Sequence, residues 1–266
     1  MPPSNQAIKD RNLFRAIGSK TLGFFEEVGE VAILIKNILF ALPKVFRSFH
    51  LTTEQMLSMG VNSLPLVLIT SIFTGAVSSV QAAYQFSDYV PMRYLGTAVG
   101  KAVIIELGPV LTALVVAGRV GAGIAAELGT MRVTEQIDAL ETLALDPTRY
   151  LVVPRFVSGI IMLPVLTIFS DFVALLGGLG VAVFFLDVSS HTFLNGVKLF
   201  FHLKDLSGGL FKALVFGGII AIIGCYQGFR TRGGAEGVGR STTRAVVLSA
   251  VLILIFDYII ATLLFG

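Results

Sequence analysis

Cysteine occurs once in these 266 residues, at Cys225 inside an apolar run, which excludes an intrachain disulfide and any cysteine-built metal site. Histidine is almost as scarce. His50, His191 and His202 fall in separate connecting stretches, so neither a metal triad nor a Ser-His-Asp set is expected, and no catalytic residue is assigned. Charge is thin as well: 14% of residues are Asp, Glu, Lys or Arg, 55% are hydrophobic and mean hydropathy is +0.84, where a soluble domain carries about 25% charged residues. An integral membrane protein is expected. The net charge of +3 comes with no basic tract interleaved with aromatics, so nucleic-acid binding is not expected. The first thirty residues mix Lys9, Asp10, Arg11, Glu26, Glu27 and Glu30 without a clean apolar core, which argues against a cleavable signal peptide and against an organellar transit peptide.

What is present is organised around residues 106–147, ELGPVLTALVVAGRVGAGIAAELGTMRVTEQIDALETLALDP. The first half, residues 107–126, is apolar apart from Thr112 and Arg119, and suits a bilayer segment whose backbone groups are satisfied within the helix. The second half predicts a helix of about three turns with Thr134 as N-cap, Glu135 and Asp138 in the first turn and a stop at Asp146-Pro147. On it Ile137, Leu140 and Ala144 share one face beside an acidic stripe of Glu135, Asp138 and Glu141, the pattern of a short helix that lies in a partner's groove.

The stretch ELGPVLTALVVAGRVGAGIAAELGTMRVTEQIDAL resembles the signature of the MlaE/YrbE family, and a weaker similarity runs from Ser63 through the C-terminal FDYIIATLLFG. These are permease subunits of bacterial ABC transporters that work with MCE proteins and move phospholipids. The resemblance implies an inner-membrane homodimer with a cytosolic ABC ATPase, a periplasmic MCE-domain protein and a small cytosolic STAS-domain subunit as partners, phospholipid as cargo and no cofactor. It places the ATPase contact on Glu135, Gln136, Ile137, Asp138, Leu140 and Glu141. Family members often carry a basic residue just before the Glu of ELGP; here that position is Ile105, which supplies no cation.

In chain order, residues 1–20 are polar and expected to be poorly ordered. Residues 24–49 are amphipathic, and their apolar run of about twelve, interrupted by Lys36-Asn37 and closed by Pro43, falls short of the ~20 needed to cross. It reads as an interfacial helix, which with residues 1–55 forms a first region ahead of a permease domain at 56–266. Five spans come next, at about 59–83, 96–126, 156–185, 210–229 and 245–265. Pro164 predicts a kink in the third, and residues 187–206 form a polar loop with room for a short helix. Small residues Gly75, Ala76, Ser78 and Ser79, and the pair Gly96 and Gly100, mark close helix crossings.

Seven Lys and Arg precede the first span, two separate it from the second, four lie in residues 119–155, Lys198, Lys204 and Lys212 follow the third, and four lie in residues 230–244. By the positive-inside rule the N-terminus, the acidic helix and the 230–244 loop are cytoplasmic and the C-terminus periplasmic. The glycine-rich strings at 118–123 and 233–239 follow no strand and lack the Lys-Ser/Thr ending of a phosphate loop, so ATP hydrolysis belongs to another subunit.

Within the spans Glu106, Arg119, Asp171 and Asp257 are the functional candidates, with Arg119 close enough to one end to snorkel. The topology puts Val77, Ser78, Gln81, Gln85 and Phe86 of the first span, Tyr89 of the following loop and Glu106-Leu107 of the second around a lipid cavity in the outer half of a dimer. Two other readings compete: a secondary transporter with Glu106, Asp171 and Asp257 as proton relay, against which stands the absence of matching repeat halves, and a membrane scaffold for a cytosolic partner.

Overall fold

The computed structural model describes residues 5–43, 49–86, 90–199 and 201–266. Every regular element among them is helical: α1 (Asn5–Ala41), α2 (Phe49–Met59), α3 (Leu64–Phe86), α4 (Leu95–Ala102), α5 (Gly108–Val116), α6 (Ala122–Val133), α7 (Gln136–Thr142), α8 (Val153–Phe185), α9 (Ser190–Leu199), α10 (Leu203–Phe229) and α11 (Gly234–Phe265). Short 3-10 or π-helical turns join several of these into longer rods. Five rods are long and apolar enough to cross a membrane: Phe49–Phe86, Met92–Val133, Thr148–Phe185, Leu203–Phe229 and Gly234–Leu264. The chain is a multi-pass all-α membrane protein, and α1 is not among its five candidate spans.

In lipid, apolar surface alone does not drive helices together, so small residues and interhelical hydrogen bonds decide which faces meet. On α3 the residues Val67, Ser71, Gly75, Ser79 and Ala83 recur every four positions and are buried together against α8. A side chain on Gly75 would run into the Ala174 carbonyl, and one on Gly177 into the carbonyl of Ile72. Ser71 and Ser170 share a 2.7 Å hydroxyl bond, and Ser79 donates to the Gly178 carbonyl at 3.0 Å. Ala76 and Ser78, expected to join this crossing, are only half-buried; the Ser78 hydroxyl turns back to the Thr74 carbonyl.

The same device recurs elsewhere. Gly159 of α8 and Gly217 of α10 meet backbone to backbone, and Gly96 of α4 lies against the Phe193 carbonyl of α9, with Thr97 donating to the Gly196 carbonyl at 2.6 Å. Gly96 and Gly100 thus do mark a close crossing, with α9 as the helix crossed. The main apolar core joins Ile38 of α1, Val67, Val116, Leu163, Phe216 and Ile253, one residue from α1 and one from each rod.

Several elements depart from expectation. Residues from Asn5 onward belong to one 37-residue helix that passes through Lys36-Asn37, both exposed, and ends two residues before Pro43. All five spans start earlier than their apolar runs, at Phe49, Met92, Thr148, Leu203 and Gly234, because polar residues continue each helix beyond its apolar segment, and most of the expected 230–244 loop is the start of α11. Pro164 stands inside α8, where its ring leaves the Ile160 carbonyl without the usual helical donor.

The acidic helix differs most. Thr134 is the C-cap of α6, its amide bonded to the Thr130 carbonyl, and Glu135 reverses the chain in a left-handed conformation at φ 60°. The helix beyond that reversal, α7, has seven residues, about two turns. It stops before Ala144, which is itself left-handed at φ 57° and therefore cannot share a helix face with Ile137.

Candidate functional site

Val103–Leu107 is a π-helical turn closed by the Gly108 amide on the Val103 carbonyl. Pro109 has no amide for the carbonyl four residues before it, and a wider turn accommodates that loss. The backbone of α10 comes close here, since a Cβ on Gly209 would meet the Ile104 carbonyl. One turn further along α10, Lys212 reaches Glu106.

Lys212 donates from Nζ to Glu106 Oε2 at 2.6 Å, and the same Nζ lies 2.7 Å from Oδ1 of Asp257 on α11, off the line of a hydrogen bond. The lysine side chain is 0% exposed, Asp257 13% and Glu106 45%, so the cluster is closed around the ammonium and open at Glu106. A buried ammonium needs compensation by an opposite charge, and here two carboxyl groups flank it, of which Glu106 is the one open to its surroundings. Such a site can receive a cationic or hydrogen-bond-donating group at Glu106. Lys212 was not singled out from the sequence, although a lone lysine early in an apolar span carries the same signal as Glu106 or Asp257.

Asp171 is not part of this cluster. It is buried in α8 with Oδ1 against the Cα of Gly108, and that oxygen has no hydrogen-bond partner among the described residues.

A second feature is an open apolar groove of about 490 Å³ lined by Ala76, Val77, Val80, Gln81 and Tyr84 of α3 and Val181 of α8. It includes Val77 and Gln81 of the expected lipid residues. Gln85 is exposed one turn beyond Gln81, Phe86 and Ser78 are half-buried, and Tyr89 lies outside the described residues. Glu106 and Leu107 do not line the groove, and its second wall is the third span rather than the second. The reason is the Gly75–Ala174 crossing, which seats α3 on α8.

The third feature is α7. Ile137 is 3% exposed and turns inward, over an opening that also touches Leu34 of α1 and Phe229 of α10. Asp138 is paired with Arg132 of α6, which braces α7 against the end of the second span. Glu135, Gln136 and Glu141 are exposed, Leu140 is half-buried, and Leu143 beyond the helix end is 71% exposed. Asp146, read as a stop, accepts the Thr148 amide at 2.9 Å and so starts the third span. Among the described residues no group of His, Cys, Asp and Glu could hold a metal ion.

The family model described as Permease MlaE matches residues 52–263. A probable ABC transporter permease protein of Rickettsia typhi is 43% identical over 254 residues, 96% of this chain and 98% of its own length. One of Synechocystis is 49% identical over 214 residues, 80% of this chain and 81% of its own. The intermembrane phospholipid transport system permease protein MlaE of Haemophilus influenzae is 34% identical over 259 residues, 96% of this chain and 98% of its own.

Proposed function

The chain belongs to the MlaE permease family, and we propose that it is the membrane subunit of an ABC transporter that moves phospholipid between the inner membrane and a periplasmic MCE-domain partner. The observation that carries this is the extent of the match, which takes in all five spans and α7 and reaches nearly end to end with a relative named for intermembrane phospholipid transport.

The geometry suits that task. Acyl chains fit the apolar groove on α3, where burial is worth about 0.8 kcal/mol per CH₂. A second copy of the chain covering its open side turns the groove into a cavity. The Glu106–Lys212–Asp257 cluster offers its open carboxylate to a head-group amine. On the opposite face of the membrane α7 presents Glu135, Gln136 and Glu141 to a cytosolic ATPase, with a small STAS-domain subunit as a further cytosolic partner. Because Asp138 and Arg132 tie α7 to α6, a push on α7 travels along the Met92–Val133 rod toward Glu106. In this arrangement the N-terminus and α7 are cytoplasmic and the C-terminus periplasmic.

Native mass spectrometry of the purified dimer tests the lipid role. Val77→Asp puts a charge on the groove wall and should lower co-purified phospholipid about tenfold or more while the dimer survives. Undiminished lipid in that variant would move the cargo away from α3.

A further inference from the structure

Arg119 lies on a π-helical turn, Ala117–Gly121, in the C-terminal half of the second span. Its Nη1 donates to Ser63 Oγ at 2.7 Å and to the Ser58 carbonyl at 3.2 Å, at the break between α2 and α3. Those two bonds account for one nitrogen. Among the described residues Nε and Nη2 have no hydrogen-bond partner, and the residue is exposed. A guanidinium anchored at one corner keeps its remaining donors in a fixed plane, the geometry that receives a phosphate.

The space beside it is an opening of about 260 Å³ between α2 and the second span, with Gln55, Ser58, Met59, Arg119, Gly123 and Glu127 on its walls. No carboxylate there neutralises Arg119, because Glu127 is held by Arg155 at 2.8 Å and the other polar groups are neutral. Gly118 and Gly123 have nothing within 4 Å of where a Cβ would stand, so the backbone on both sides of Arg119 is open to a neighbour. An arginine that only snorkels has no need of an opening or of bare backbone around it.

We propose that this opening holds the phosphate of an inner-leaflet phospholipid head group on Arg119, a second lipid position distinct from the α3 groove and the Glu106 cluster. The proposal rests on the reading of the chain as a phospholipid permease. Thirteen residues, about 20 Å of helix, separate Arg119 from Glu106, so the two charged positions sit at different depths of one rod. A lipid held at Arg119 is in the cytoplasmic half, and one at Glu106 in the periplasmic half.

The test uses the full chain in nanodiscs of phosphatidylethanolamine and phosphatidylglycerol, with the photoreactive substitution Gln55→p-benzoylphenylalanine and, separately, Val77→p-benzoylphenylalanine. After irradiation, peptide mass spectrometry should find an intact phospholipid adduct at position 55. Arg119→Gln should lower that adduct about tenfold and leave the adduct at position 77 unchanged, whereas Arg119→Lys, which keeps the charge, should restore much of it. An excess of inorganic phosphate should not compete. A lipid adduct at 77 but none at 55, an adduct at 55 to a peptide of a second copy, competition by phosphate, or a yield indifferent to Arg119→Gln would each overturn the proposal. Loss of lipid at both positions would instead remove the phospholipid reading itself. Unfolding of each variant is followed by reaction of the buried Cys225 with a thiol dye, so a misfolded variant is recognised as such.

Discussion

Lys212 and Glu106 stand 2.6 Å apart across α10 and the π turn of the second span, with the lysine wholly buried and the glutamate 45% exposed. Asp257 closes the other side of the ammonium at 2.7 Å. Removing the cation leaves two neighbouring carboxylates with nothing between them. Lys212→Met should therefore destabilise the fold by about 3–5 kcal/mol, and adding Asp257→Asn should recover part of that loss. Thermal unfolding in detergent, read by exposure of Cys225 to a thiol dye, measures both. Equal stability of Lys212→Met and the parent chain would show that the cluster is not held by its lysine.

The α3–α8 crossing yields a second expectation. At Gly177 a side chain would meet the Ile72 backbone, whereas at Gly180 of the same helix nothing lies within 4 Å. Gly177→Leu should cost at least about 1–3 kcal/mol through forced separation of the helices, while Gly180→Leu should be tolerated or mildly favourable. The same Cys225 assay separates them, and a tolerated Gly177→Leu would mean that α3 and α8 do not touch there.

Helix α7 separates residues that hold it from residues that face outward. Ile137→Ala should destabilise by about 2–5 kcal/mol because the side chain is buried. Glu141→Lys combined with Leu143→Ser changes only exposed groups and should leave stability unchanged while weakening retention of the ATPase on an affinity column. Full ATPase retention in that double variant would move the docking surface elsewhere. At the reversal, Glu135→Gly removes the strain of a left-handed non-glycine residue and should raise stability by up to about 1 kcal/mol.

Topology is open to direct labelling. In a Cys225→Ser background, single cysteines at Ser190 and Gly266 should react with an impermeant thiol reagent from outside, and those at Ala139 and Ala235 should not; all four positions are exposed. Gly237, in the first turn of α11 with Ala235, is unsuitable because it is buried against the Arg232 carbonyl. Outside reaction at Ala139 would invert the proposed orientation.

Much of this architecture was legible along the chain. Long apolar runs report spans because a bilayer demands about twenty apolar residues whatever the neighbours are, and the five spans followed from that alone. The pairing of Gly96 with Gly100 was legible as a contact face for the same local reason, although the helix it meets was not. The acidic helix was half legible. Thr134, Glu135 and Asp138 match an N-cap pattern, yet packing of Leu128 on Gly228 and of Gly129 on Thr231 holds α6 helical through Val133, and the cap residue became a C-cap.

What the sequence by itself determined is the membrane class, the count of spans, the scarcity of cysteine and histidine and the family signature, since each depends on composition or on order along one segment. The tertiary structure alone decided which ionisable residues meet. Glu106, Lys212 and Asp257 lie on three rods, more than a hundred residues separating the first from the others, and no periodicity links them. They converge because Gly209 lets α10 approach the π turn and because a charge within the bilayer is tolerated only beside its opposite, a condition satisfied across helices rather than along them.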